Sequence, residues 1–150
     1  MPAAGPAEEC TTHQLSIEIT AHPASSGAGQ SYSEITFTNT GETACLLLGS
    51  PSVFNLVDTR TGAVIGKRSP DEGVEERVQI EPGEVGYSTI HFSAAGAYDC
   101  QTGVADGALV APPEPQTTGP VEPIRLEQPV TVCLDPATYS VSNVASGSAF

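Results

Sequence analysis

Residues 36–51 read TFTNTGETACLLLGSP, and this stretch decides the fold class. An alternating strand ends at Asn39, and Asn39-Thr40-Gly41 supplies residues that tolerate positive φ, so the chain can reverse there. Cys45 then opens an apolar run, Leu46-Leu47-Leu48. Gly49 and Pro51 mark a bulge or bend, at a sheet edge or corner. A strand, a tight turn and a second strand with a cysteine at its mouth predict a stapled β-domain.

The same period recurs on either side of this stretch. In residues 14–21, QLSIEITA, the side chains of Leu15, Ile17, Ile19 and Ala21 share one face, opposite Ser16, Glu18 and Thr20. Residues 31–39 place Ile35 and Phe37 inward, with Glu34, Thr36 and Thr38 outward. Residues 59–68 read as a turn and a short strand, and VQIEPGE (78–84) as a brief strand ended by a Pro-Gly turn. VGYSTIHFS (85–93) puts Ser88, Ile90 and Phe92 on one face and His91 on the other. Residues 94–108, around Cys100, read as a small, polar connection. Residues 107–123 read as a short apolar piece and then a proline-rich surface loop. IRLEQPVTVCL (124–134) and TYSVSNVA (138–145) finish as two alternating segments. About eight short strands, turn signals every 8–15 residues and no amphipathic helix predict an antiparallel β-sandwich.

The bulk numbers agree. The chain has 150 residues, enough for one domain, expected over 10–145 between a flexible leader (1–9) and a disordered tail (146–150). Apolar residues make up 39%, but aromatics only 5% and Trp is absent, so the core must rest on Val, Ile, Leu and Ala. Thirteen Pro and fifteen Gly favour short strands over helices. The net charge of −13, from 18 acidic and 5 basic residues, opposes binding to nucleic acid or anionic lipid. It serves solubility, and otherwise suits a cationic partner or cation binding.

No stretch is long and apolar enough to span a membrane. MPAAGPAEEC lacks the basic and apolar regions of a signal peptide. An exported chain is therefore expected here in trimmed form, with a signal or lipid-bearing anchor removed upstream of Met1. Cys10, Cys45, Cys100 and Cys133 are even in number and widely spaced, which suits disulfides in an oxidising compartment. Spacing alone leaves three pairings open.

The order of motifs resembles the domain of unknown function 4232 family, found in secreted proteins and lipoproteins of actinobacteria. The family core F-x-N-x-G…C-x-L-x-G-x-P reads here Phe37, Asn39, Gly41, Cys45, Leu47, Gly49 and Pro51. Its later turn reads Thr61-Gly62, and its L-x-P-G segment reads Ile80-Glu81-Pro82-Gly83. Ser50 stands where the family often has an aromatic. The resemblance implies an immunoglobulin-like sandwich outside the cytoplasm and brings no catalytic residues. In that frame the hairpin returns Cys45 beside the first strand, whose mouth carries Cys10. The expected pairs are Cys10–Cys45 and Cys100–Cys133, each joining a loop mouth to a neighbouring strand. A loop closed in this way stabilises by about 3–4 kcal/mol.

GSPSV and GQSYS do not make a G-x-S-x-G nucleophile elbow. His13, His22 and His91 lack metal-ligand spacing. Asp71, Glu72, Glu75 and Glu76, with Glu81 and Glu84, form an acidic loop that reads as solvated, with calcium as the alternative. Tyr32, Tyr87, Tyr98 and Tyr139 read as half-buried sandwich residues, or else as contact surface. The expectation is a noncatalytic, extracytoplasmic cell-envelope domain, binding or structural, with no cofactor and an unidentified protein or envelope partner. The alternatives are a secreted hydrolase on a β-sandwich, or a calcium or metal module using loop 71–84.

Overall fold

The computed structural model describes residues 8–22, 30–51, 53–68, 77–93, 100–111, 123–135, 137 and 139–147. Among them are nine strands: β1 Leu15–Ala21, β2 Gln30–Asn39, β3 Cys45–Leu48, β4 Val53–Val57, β5 Arg77–Ile80, β6 Val85–Ser93, β7 Thr102–Ala111, β8 Ile124–Cys133 and β9 Tyr139–Val141. The one helical piece described is a 3-10 turn at Thr12–Gln14. One layer is a sheet in the order β1-β2-β6-β9. Facing it are a β3-β5 ladder and a three-stranded sheet, β4-β7-β8. All strand pairs are antiparallel. This is an immunoglobulin-like β-sandwich.

The core lies between the layers, where alternation sends the apolar residues. Ile35, Phe37, Leu47, Leu56 and Ile90 are fully buried. The Tyr139 ring is buried in this core, meeting Phe54 edge-on at 5.9 Å between ring centroids. Burial of each Val, Leu or Ile contributes about 1.5–3 kcal/mol.

The apolar path from Cys45 divides into β3 and β4 at the predicted bend. Gly49 has φ 96, a conformation that L side chains rarely adopt. The bend's polar groups are satisfied: Val144 N–H donates to Gly49 O at 2.8 Å, and Arg68 Nη1 to Pro51 O at 3.0 Å.

Cys10 joins Cys45, and Cys100 joins Cys133. The first staple differs in place from the expectation. Cys45 does not lie beside β1; instead residues 8–10 cross to the opposite layer and run parallel to β3, bridging Glu9 to Leu46. Cys10 N–H donates to Leu46 O at 2.9 Å, and Leu46 N–H to Glu8 O at 2.8 Å. Two residues of the expected leader, Glu8 and Glu9, thus take part; residues 1–7 lie outside the described residues, as do 148–150 of the expected tail. The second staple closes the β7–β8 ladder, where Thr102 stands opposite Cys133.

Three local expectations are corrected. Residues 102–108 are strand and not polar connection: the segment pairs with β8 and, at Gly107 and Ala108, also with β4, and Ala105 and Ala108 are fully buried. Outward-facing Glu34 is not solvated: it is 5% exposed and lies 3.7 Å from His22 Nε2. Nor does β8 alternate throughout, since Glu127, Gln128 and Pro129 are all exposed.

Candidate functional site

A concavity among the described residues comes from a change of residue size along an inward face. Antiparallel partners share a face. Ile19 stands opposite Ile35, Ala21 opposite Ser33, Ser33 opposite Ile90 and Ser31 opposite Phe92. Toward the middle of the sandwich these rows are filled by Ile35, Phe37 and Ile90. Toward the end they carry Ala21, Ser31 and Ser33, and the described residues of the two layers leave a gap between them.

The opposite wall is an irregularity in β8. Val130 pairs with Ala105 and Arg125 with Gly107, so Leu126, Glu127, Gln128 and Pro129 all stand opposite the single residue Asp106. Proline has no N–H to give to the ladder, and such bulges re-aim side chains. The bulged segment reaches across to β1, where Ala21 N–H donates to Glu127 Oε1 at 2.6 Å. The result is an interlayer cleft of about 370 Å³, within the range of small-molecule sites. Ile19, Phe92, Leu126 and Val130 provide apolar wall; Ser31 and Ser33 add hydroxyls, and Glu127 adds a carboxylate. The described lining includes no histidine, lysine, arginine or cysteine.

On the far side of the same bulge, Asp106 accepts from Thr59 N–H and Thr59 Oγ1, both at 2.8 Å, with Arg125 Nη2 at 3.7 Å. These bonds, the Thr59 N–H foremost, hold the Asp106 pKa below the usual carboxylate value. The cluster fixes the turn after β4 and the irregular β7–β8 register behind the cleft.

The family model of a domain of unknown function, DUF4232, matches residues 10–144. The chain belongs to the domain of unknown function 4232 family. No curated protein and no solved structure matches it. The residues that carry the resemblance to domain of unknown function 4232 do architectural work. Asn39, 1% exposed, donates Nδ2 to Thr43 O at 2.8 Å and to Ile80 O at 3.0 Å, and accepts from Gly41 N–H at 2.9 Å. One buried amide thereby closes the β2–β3 turn and ties it to β5. Pro82-Gly83 forms a reverse turn, with Gly83 at φ 88 and Glu84 N–H donating to Glu81 O at 2.9 Å. Glu84 Oε1 also accepts from Glu81 N–H at 2.8 Å, so both carboxylate residues serve that turn.

The other residues singled out in the sequence are dispersed. His13 is exposed. His91 lies on the outer face of β6, its ring stacked on Tyr32 at 4.8 Å and 13°; Tyr32 also lines the cleft. Tyr87 is half-buried, and Tyr139 is buried in the core, where burial raises its pKa against the opposing pull of the Leu56 backbone and Arg68. Tyr98, Asp71, Glu72, Glu75 and Glu76 lie outside the described residues. Among the described residues no three His, Cys, Asp or Glu side chains stand together as metal ligands.

Sequence reasoning missed the cleft. Two signals were present: small polar Ser31 and Ser33 on the face continued by Ile35 and Phe37, and Pro129 inside an alternating strand.

Proposed function

We propose that this domain is a noncatalytic binding module that works outside the cytoplasm, with the interlayer cleft as its ligand site. The cleft carries the reading. It offers an apolar interior with a few polar groups, the usual composition of a small-molecule site. Its serine hydroxyls have no histidine or lysine beside them in the described lining to act as base. Two disulfides, with Cys10, Cys45 and Cys133 each at most 1% exposed, suit a chain that folds in an oxidising compartment. The acidic surface suits neither nucleic acid nor anionic membrane.

The test uses n-decanol as a neutral apolar probe, followed by amide and methyl NMR on the disulfide-intact chain. Saturable shifts at Ile19, Leu126 and Val130, lost in Ser33→Leu with the spectrum otherwise kept, are expected. Shifts scattered over the surface, or unchanged in Ser33→Leu, refute the cleft as the site. Saturable turnover of p-nitrophenyl decanoate, abolished by Ser31→Ala or Ser33→Ala, favours the hydrolase instead.

A further inference from the structure

We infer that the ligand of this cleft is a cationic amphiphile: an apolar body carrying an ammonium or guanidinium group that Glu127 receives at the mouth. The inference rests on the reading of the cleft as a binding site. It adds the charge of the ligand and the residue that selects it.

Three observations converge. The first is placement. Glu127 belongs to the four-residue excursion of β8 that builds the cleft wall, and its side chain is held at the rim by Ala21 N–H at 2.6 Å. One hydrogen bond leaves a carboxylate with further acceptor capacity, since its two oxygens offer about four lone-pair sites. The second is the lack of a competing cation. The described lining holds no Lys, Arg or His, and the neighbouring Arg125 faces Asp106 at 3.7 Å. The third is the long-range field. A chain of net charge −13 with 5 basic residues draws cations toward a rim of its own sign and repels anions from it. The apolar walls at Ile19, Phe92, Leu126 and Val130 require that the rest of the ligand be apolar.

The experiment compares three probes of one chain length, n-decylammonium, n-decanol and n-decanoate, each below its micelle-forming concentration and followed by the same NMR shifts. Glu127 is solvent-exposed, and an exposed ion pair is worth up to about 1 kcal/mol, so decylammonium should bind up to about fivefold more tightly than decanol. Decanoate should bind more weakly than decanol. Glu127→Gln keeps an acceptor for Ala21 N–H and removes only the charge, so it should bring decylammonium to the affinity of decanol. Gln128→Glu should raise the preference. Raising the salt from low to about 0.5 M should shrink it. Equal affinity for decylammonium and decanol, or a preference that survives in Glu127→Gln, overturns the inference and leaves the cleft as a neutral apolar site. If no probe reaches the cleft, the binding reading itself fails.

Discussion

Removing the Cys10–Cys45 staple tests what holds the N-terminal segment in place. The bond closes a loop with a sequence separation of 35 residues. On the chain-entropy relation, releasing it returns about 3.8 kcal/mol of freedom to the unfolded chain. Cys10 is 1% and Cys45 0% exposed, so Cys10→Ala with Cys45→Ala also leaves a small void in the core and adds to the loss. Alanine is the right replacement, because serine would bury two hydroxyls. Domains of this kind hold about 5–15 kcal/mol in total, so about 4 kcal/mol is a large share. With an unfolding entropy of about 0.3 kcal/mol/K for this length, the melting temperature should fall by about 12 °C. Chemical denaturation gives the free energy, and hydrogen exchange locates the effect. Segment 8–10 is tied to β3 through Leu46 N–H and Leu46 O. The Leu46 amide should therefore lose more protection than those of Ile35 or Ile90. A double variant as stable as the parent, or one destabilised without selective loss at Leu46, would refute the reasoning.

Asn39→Ala should cost about 2–4 kcal/mol, because it strands the Thr43 and Ile80 carbonyls and Gly41 N–H around a buried site; a denaturation midpoint within error of the parent would contradict that. Asn39→Asp should be no better at neutral pH, since a carboxylate cannot donate to the two carbonyls. The depressed pKa of Asp106 gives a contribution that is present above the unfolded carboxylate value of about 4 and lost as pH falls through the lower folded value. Asp106→Asn should remove that part of the acid-side slope, and comparison of denaturation midpoints at pH 5 and pH 3 checks it. Under mild reductant the native protein should open Cys100–Cys133 before Cys10–Cys45, because Cys100 is partly exposed while Cys10 and Cys45 are buried; differential alkylation with mass mapping gives the order.

The sandwich was legible because its strands obey the period-two rule. Residues such as Ile35, Phe37, Ile90 and Phe92 declare their face by alternation alone, and Asn39-Thr40-Gly41 declares the turn. β7 was less legible. Thr102-Gly103-Val104-Ala105-Asp106-Gly107-Ala108 has weak intrinsic strand preference, and its place is set by pairing with β4 and β8 on either side. The crossing of residues 8–10 to the opposite layer was not legible either. A disulfide specifies that two sulfurs meet, but not which layer each strand occupies.

The cleft was hidden for a different reason. Periodicity records which way a side chain points, not whether the space it enters is filled. Ser31 and Ser33 keep the alternation of β2, so by pattern alone they are ordinary strand residues. Their meaning depends on what stands opposite: Phe92 and Ile90 beside them in the sheet, Leu126 and Val130 across the layers. Had β8 kept its register, a continuous strand would have paired with β7 through the residues that now bow out. Pro129, lacking an N–H, is the residue least suited to that pairing. The bow carries Glu127 to Ala21 and walls the sandwich end into a cleft whose described lining includes the Glu127 carboxylate. The small side chains come from β1 and β2 in one layer and the wall from β8 in the other. The two irregularities meet at the same end of the fold, and their coincidence is what opens the cleft.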